Sequence, residues 1–322
     1  MPQVVRIHKH GGPEVLKLEE VKLANPKAGE VRLRQTAIGL NFIDTYHRSG
    51  LYPMKMPVTL GTEAAGIVEA VGKGVTTVKE GDRVAYAGVA GAYAEARTIA
   101  ADRLVKLPRW ISDQQAAAMM LKGMTAEYLI RRTYRARKGE TVVFHAAAGG
   151  VGLIACQWLK QLGVTVIGTV GSDAKAKLAK RHGCRYPVLY KKQNLAKRVR
   201  EITKGAGVPV VYDSVGASTF AQSLDCLAPR GMLVSFGNSS GPVPPFEPGI
   251  LAAKGSLYFT RPSLAAYTAS REDLVKSAQS LFRAVKNGVK IRVDQTFKLK
   301  DIVRAHKALE GRRTTGSTVI IP

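Results

Sequence analysis

The chain has 322 residues and a net charge of 49 − 24 = +25, a length that suits about two domains at roughly 150 residues each. Hydrophobic residues at 45% and charged residues at 23% exclude a disordered tail, and no apolar run reaches the ~18 to 20 residues of a membrane span. Aromatics make up 7% beside 32 glycines, a balance that fits an α/β protein with close backbone approaches better than an aromatic-rich all-β one.

In chain order, residues 4–8, 15–18, 30–38 and 66–72 read as short strands punctuated by Gly11-Gly12-Pro13 and Asn25-Pro26. A Gly81-Asp82 turn precedes another strand. Regularly spaced glycines in short strands predict a compact, partly open β-barrel. Near residue 112 the texture changes, and Ser112-Asp113-Gln114-Gln115 opens a helix ahead of an Ala/Met/Leu-rich stretch. From Gly139 onward strands at 141–145, 164–170, 186–190, 208–212 and 231–236 alternate with helices at 153–162 and 174–182. That spacing predicts a doubly wound parallel sheet over residues 122–262. The tail reads as helix 271–287, strand 295–299, helix 300–310 and strand 317–321. It has no core of its own, so residues 263–322 are expected to complete the domain begun by residues 1–121.

Between the first strand and first helix of the parallel sheet stands Ala146-Ala147-Ala148-Gly149-Gly150-Val151-Gly152. Glycines are needed there because a side chain would hold a pyrophosphate off the backbone, and because the helix must pack closely on the sheet. The helix N-terminus then offers unbonded N–H groups and the positive end of its dipole to the anion. In this strand–turn–helix context the motif predicts a dinucleotide site, with Gly149, Gly150, Val151 and Gly152 at the phosphates, although Ala147 replaces the first glycine of GxGxxG. The next strand ends in Gly171-Ser172-Asp173-Ala174-Lys175. No carboxylate stands at the strand end to accept the ribose hydroxyls of NAD. Gly171 leaves room for a phosphate, Ser172 can donate to it, Lys175 brings charge, and Tyr190 can close the site, which favours NADPH. Asp173 reads as a helix N-cap.

Taken together, Asn41-Phe42-Ile43-Asp44-Thr45-Tyr46, Ser49 to Pro53, Gly61-Thr62-Glu63-Ala64-Ala65-Gly66, the turn at 146–152, Tyr212 to Gly216, Phe236 to Gly241 and Thr260-Arg261-Pro262 occur in an order that resembles the medium-chain dehydrogenase/reductases. More closely, the chain resembles their zinc-independent quinone oxidoreductases, the zeta-crystallin-like group. The resemblance implies a GroES-like catalytic domain, a Rossmann-type NADPH domain, a homodimer, and hydride transfer to a quinone. In zinc-dependent relatives a cysteine occupies the place of Asn41 and a histidine that of Thr62. Here Cys156, Cys184 and Cys226 all fall in the nucleotide domain and the six histidines show no ligand spacing, so no metal is expected. Without a Lewis acid, acceptors already activated toward hydride are favoured: quinones, or in the alternative reading alkenals and enones.

The same resemblance puts Asn41, Tyr46 and Tyr52 at the nicotinamide end of the cleft. A tyrosine hydroxyl there would bond a quinone oxygen, the competing reading being a packed aromatic with a satisfied hydroxyl. Asp44 reads as a structural hydrogen-bond partner rather than an acid. Thr125, Tyr128, Ser214, Phe236, Gly237, Asn238, Phe259, Thr260 and Arg261 match cofactor-side positions. Arg261 reads equally as a phosphate or carbonyl partner and as a structural ion pair.

The three scattered cysteines make a poor disulfide framework and the opening residues read as neither signal nor transit peptide, so a soluble cytoplasmic protein with reduced thiols is expected. Residues 175–204 hold eleven Lys or Arg against one acid, Glu201. Solvated helix faces account for most of that charge, and no aromatic interleaving marks a dedicated RNA module. Weak nonspecific RNA binding is the most the charge supports, and a third reading, an RNA-binding or structural protein with NADPH as a ligand, stays open beside the enzymatic ones.

Overall fold

Short alternating strands in the first third and βαβ spacing after Gly139 require two different kinds of sheet. The computed structural model, which describes residues 1–322, has both. One unit comprises residues 1–124, 268–279 and 291–322, the other residues 125–267 and 280–290.

The first unit runs β1 (Gln3–Ile7), β2 (Lys17–Glu20), β3 (Glu30–Leu40), α1 (Phe42–Ser49), β4 (Val58–Thr59), β5 (Glu63–Val71), β6 (Arg83–Ala87), β7 (Ala96–Ala100) and β8 (Val105–Lys106). After α2 (Asp113–Tyr128), the second unit supplies β9 (Thr141–Phe144), α3 (Gly150–Gln161), β10 (Thr165–Val170), α4 (Asp173–Arg181), β11 (Tyr186–Leu189) and α5 (Leu195–Ile202). It continues through β12 (Val208–Asp213), α6 (Phe220–Asp225), β13 (Leu227–Ser235), α7 (Gly249–Ala253), β14 (Tyr258–Thr260) and α8 (Leu264–Tyr267). α9 (Arg271–Lys286), β15 (Val293–Lys298), α10 (Ile302–Glu310) and β16 (Ser317–Ile321) complete the chain.

In the first unit β15-β16-β3-β5-β6-β8 form one sheet, with β7 also on β3, and β2-β1-β4 form another. β3 alternates at first, burying Val31, Leu33 and Gln35. It is then buried continuously from Ala37 to Leu40, because Ala117 and Ala118 of α2 cover Ala37. Gly39 is the point of closest approach: a Cβ there would fall 2.2 Å from the Ala117 carbonyl oxygen and 2.3 Å from a Glu63 carboxylate oxygen. β16 pairs with β3, so the tail does supply strands to this sheet.

In the second unit six parallel strands lie in the order β11-β10-β9-β12-β13-β14. Both faces are covered, which is why strands such as β9 read as unbroken apolar runs. The chain reverses direction of build between β9 and β12, and ligands of such sheets bind beyond the carboxyl ends of the strands at that reversal. α3 starts at Gly150 rather than at residue 153, because the glycines of the turn form its first turn despite their low helix propensity. α5, α6 and α7 are additional to the expected helices: in α5 Leu195, Val199 and Ile202 recur at helical spacing and face the core, whereas α6 and α7, of 6 and 5 residues, are too short to show a period. The tail is also less uniform than expected, since residues 263–267 and 280–290 lie in the second unit. Hydrogen bonds hold them there: Gln157 exchanges two with Lys290 (2.9 and 3.1 Å) and Gln161 donates to Asn287 (2.9 Å).

Candidate functional site

The glycine turn follows β9 directly. Ala146 sits in the left-handed region (φ +52°), held there by Thr169 of β10, whose hydroxyl accepts from the Ala146 N–H (3.1 Å) and whose carbonyl accepts from Ala147 (3.0 Å). Gly149 is the N-cap of α3 and no side chain caps the helix, so its first-turn N–H groups have no side-chain acceptor from this chain. A Cβ at Gly152 would lie 2.4 Å from the Ala146 carbonyl oxygen and 2.8 Å from Ala147 backbone. Only glycine lets helix and turn meet so closely.

β10 ends at Val170, and Gly171 follows with Tyr190 alongside; a Cβ there would lie 3.0 Å from the Tyr190 hydroxyl. Ser172, not Asp173, is the N-cap of α4: its Oγ accepts the Lys175 N–H at 3.3 Å. Asp173 is instead the first helical residue, exposed and 3.5 Å from the Lys192 ammonium. The cap moves one residue earlier because serine caps as well as aspartate and Ser172 is the last residue in extended backbone (φ −157°). An accepting Ser172 oxygen still carries a proton to donate, so the cap and a phosphate contact are compatible.

At the end of β12, Asp213 holds the following loop by accepting from the Val215 and Gly216 N–H groups (2.7 and 3.2 Å). Ser214 stands in that loop and its carbonyl accepts from Ser239 (3.2 Å). A Cβ on Gly237 would fall 2.5 Å from the same carbonyl oxygen. Phe236 packs on Phe144 with ring centroids 5.8 Å apart, and Asn238 is buried. Thr260 closes β14, and Arg261 donates to the Ser235 carbonyl (2.9 Å) at the end of β13. Phe259 is partly buried, its ring packed against Phe246 (5.3 Å) and Phe220 (6.0 Å) at the border of the core. Thr125 and Tyr128 are buried on the last turn of α2, where Tyr128 stacks on Tyr267 at 4.5 Å. Burial raises the Tyr128 hydroxyl pKa, so the group stays protonated. Nothing in the sequence singled out Tyr267.

In the first unit Asn41 is anchored twice. Its backbone N–H reaches the Asp44 carboxylate at 2.9 Å, and its side-chain amide donates to Glu63 at 2.9 Å. Glu63 is fully buried, accepting also from the Leu121 N–H (2.6 Å) and the Lys122 ammonium (3.3 Å). Asp44 accepts in addition from Tyr93 (2.8 Å) and Thr62 (2.9 Å). Burial drives its pKa up to about 6, the bonds from Asn41, Tyr93 and Thr62 and the Lys122 charge opposing it. Behind it Tyr93 meets His306 (3.1 Å), His306 meets Arg48 (3.0 Å), and Arg48 forks onto Glu310 (2.6 and 3.0 Å). Tyr46 lies between Phe42 and Tyr52, with centroids 5.7 and 5.2 Å away. Sequence reasoning reached Asn41, Asp44, Tyr46 and Tyr52 but not Glu63, Lys122, Tyr93 or His306 as their supports.

No group of three or more His, Cys, Asp or Glu side chains is placed to hold a metal ion. Asn41 and Thr62 are hard hydrogen-bonding groups already engaged with Glu63 and Asp44, which is poor chemistry for a zinc ligand set. No helix is long and apolar enough to cross a membrane.

Residues 27–109 match the alcohol dehydrogenase GroES-like domain and residues 150–282 the zinc-binding dehydrogenase domain. The chain is 55% identical over its full length to a quinone oxidoreductase of Pseudomonas aeruginosa, all of which is covered. It is 46% identical to a 2-haloacrylate reductase of a Burkholderia species, over 98% of both chains. A crystal structure of Escherichia coli quinone oxidoreductase complexed with NADPH superposes with a TM-score of 0.98 at 52% identity, covering 99% of this chain and 100% of the other. With a GroES-like unit, a parallel sheet carrying the glycine turn and relatives matched from end to end, the chain belongs to the quinone oxidoreductase family of the medium-chain dehydrogenase/reductase superfamily.

Proposed function

We propose that this protein is an NADPH:quinone oxidoreductase that works without a metal. The observation that carries the reading is the uncapped, glycine-lined start of α3 at the reversal of the parallel sheet, next to a strand that ends in Gly171, Ser172 and Lys175 rather than in a carboxylate. The residues present fit a phosphorylated dinucleotide: α3 begins on glycine with no side-chain cap, Gly152 lets that helix end seat closely on the turn, and the groups beyond β10 are a hydroxyl, an ammonium and a phenol. Gly149, Gly150, Val151 and Gly152 would take the pyrophosphate, and Gly171, Ser172, Lys175 and Tyr190 the ribose phosphate. Thr125, Tyr128, Ser214, Phe236, Gly237, Asn238, Thr260 and Arg261 would hold the remainder. Phe259, next to Thr260 on β14, would join them.

NADPH, when bound, supplies the hydride. The protein's part is to orient, to exclude water and to hold protons. Asn41, fixed at backbone and side chain by Asp44 and Glu63, presents a rigid amide, and such fixing is worth more than any single contact it makes. Tyr46 and Tyr52 offer an aromatic surface and hydroxyl protons to a quinone oxygen as it gains charge. With amide and hydroxyl at the places of Asn41 and Thr62, the site suits acceptors that need no Lewis acid.

Steady-state oxidation of NADPH and NADH with benzoquinones, naphthoquinones and 2-alkenals tests this. Quinone turnover with NADPH preferred is expected. Replacing Lys175 with Ala should raise KM for NADPH about tenfold, through loss of one charge-assisted phosphate contact, with little change for NADH; equal effects on both would refute the phosphate assignment. The similarity to the 2-haloacrylate reductase favours a second reading, reduction of an electron-poor carbon–carbon double bond, and preference for alkenals would select it. Salt-sensitive RNA binding with no turnover of any acceptor would instead favour a polyanion-binding role for the basic helices of the second unit.

The proposed homodimer uses β14, the edge of the six-stranded sheet, where Tyr258 is 58% exposed and unpaired backbone groups invite a second copy. The three buried free thiols suit a reducing compartment, which supports a cytoplasmic location.

A further inference from the structure

His145 follows β9 and is buried at the sheet reversal, with Thr169 of β10 on one side and Ser223 of α6 on the other. Its Nδ1 lies 3.1 Å from the Thr169 hydroxyl and its Nε2 lies 3.0 Å from the Ser223 hydroxyl. Ser223 in turn donates to Asp213 Oδ2 at 2.9 Å, an oxygen that also accepts from Thr219 at 2.7 Å.

The proton positions in this chain follow from counting donors. Asp213 receives four bonds, two N–H and two O–H, and a carboxylate only accepts. The single Ser223 proton is therefore committed to Asp213, so His145 Nε2 must donate to Ser223. A neutral imidazole has one N–H, which leaves Nδ1 as an acceptor, and the Thr169 hydroxyl must donate to it. The Thr169 oxygen then uses a lone pair for the Ala146 N–H (3.1 Å). Every proton points the same way, from the glycine turn through Thr169, His145 and Ser223 to Asp213. Burial lowers the imidazole pKa, Asp213 opposing it in part, and the direct distance from Nε2 to Asp213 is 4.0 Å, too long for a hydrogen bond.

We infer that His145 is a positioning residue of the dinucleotide site, joining the turn that carries Gly149–Gly152 to the loop that carries Ser214 through one directed chain of hydrogen bonds. The inference rests on the reading of that turn as the cofactor cradle. At one end the chain clamps Ala146 in left-handed backbone; at the other Asp213 sets the Val215 and Gly216 amides and hence Ser214. The two ends lie on β9 and β12, the strands that flank the reversal, so His145 ties together both walls of the crevice before any ligand arrives. A chain with one direction is cooperative, and removing its centre leaves a hydroxyl without its acceptor on one side and one without its donor on the other.

Two measurements on the full chain test this. Long-range 1H–15N spectra of the histidine-labelled apoprotein at neutral pH should show His145, assigned by its loss in His145→Gln, as an Nε2–H tautomer. NADPH titration followed by fluorescence should give a Kd raised about tenfold in His145→Leu and less in His145→Gln, whose amide can still donate to Ser223, while kcat at saturating NADPH stays within about twofold. An Nδ1–H or doubly protonated ring overturns the chain, as does a His145→Leu or His145→Gln protein that folds and binds NADPH like the wild type. If His145→Leu does not fold, His145→Gln alone decides. Failure of the wild type to bind NADPH would instead sink the cofactor reading, with the tautomer judged independently.

Discussion

Replacing Asp44 with Asn should change how stability responds to acid. In the folded protein burial lifts the Asp44 carboxyl to about 6 from its ordinary 3.8, so folding favours its proton. The sign follows: an acid with a raised folded pKa adds stability as pH falls through 6 toward 3.8, and withholds it at neutral pH. The gap between about 6 and 3.8 at about 1.36 kcal/mol per pH unit caps the effect at about 3 kcal/mol, most of which is realised by pH 4. His306, two bonds away through Tyr93, acts oppositely. Burial first, and the Arg48 charge second, hold it at about 3 against an ordinary 6.5, so stability is lost as pH falls below 6.5. Between pH 6 and pH 4 the wild type therefore has one opposing proton uptake in each state, and the two nearly cancel. Neither cause of the His306 shift involves Asp44, so Asp44→Asn should keep the destabilising half and lose the compensating one. Urea unfolding of both proteins from pH 7.5 to pH 4 isolates the effect, because all other titrating groups are common to the pair. A constant offset is expected from the Asn amide facing one of the three donors; on top of it, the variant's deficit should grow by about 2 kcal/mol between pH 7 and pH 4. A deficit that stays flat across this range would refute the assignment of a raised Asp44.

Two further substitutions probe the two units. Glu63→Gln removes the partner of a buried ammonium, since Lys122 is 6% exposed, and should cost about 3 to 5 kcal/mol in urea unfolding, largely recovered when Lys122→Met is added; a loss under about 1 kcal/mol would show that Glu63 does not carry the charge. Gly171→Asp places a carboxylate at the end of β10, its Cβ 3.0 Å from the movable Tyr190 hydroxyl. It should lower the ratio of kcat/KM for NADPH over NADH about a hundredfold, the equivalent of about 2.7 kcal/mol, and an unchanged ratio would remove the phosphate from this strand end.

The glycine turn and the bare end of β10 are legible in the sequence because each is contiguous: strand period, turn and helix follow one another within a few residues, and the chemistry is carried by backbone. The supports of Asn41 are not. Tyr93 lies 49 positions from Asp44, His306 lies 213 from Tyr93, and Arg48 lies 258 from His306. Taken singly each reads as an ordinary core or surface residue, and only the fold places their polar atoms in line. Family likeness alone puts Phe259 among the cofactor positions. β14 is a strand in which neighbouring side chains point to opposite faces: Tyr258 is exposed on one, and on the other the partly buried Phe259 ring packs on Phe220 and Phe246, a neighbourhood that no short stretch of sequence shows.

The same logic runs through both buried histidines. At His306, Arg48 can only donate, so Nδ1 accepts and Nε2–H donates to Tyr93, whose proton goes to Asp44. At His145 the direction is likewise Nδ1 accepting, Nε2 donating, and a carboxylate at the end. In each case the carboxylate that terminates the chain also accepts a backbone N–H belonging to a proposed site segment, Asn41 in the first unit and the Ser214 loop in the second. A buried carboxylate costs stability when alone, and here each one is surrounded by donors that leave its loop a single geometry. The rigidity proposed for each of these segments therefore comes from imidazoles and carboxylates that are not among the proposed contacting residues, which is why substitutions that spare every contacting residue are expected to disturb binding.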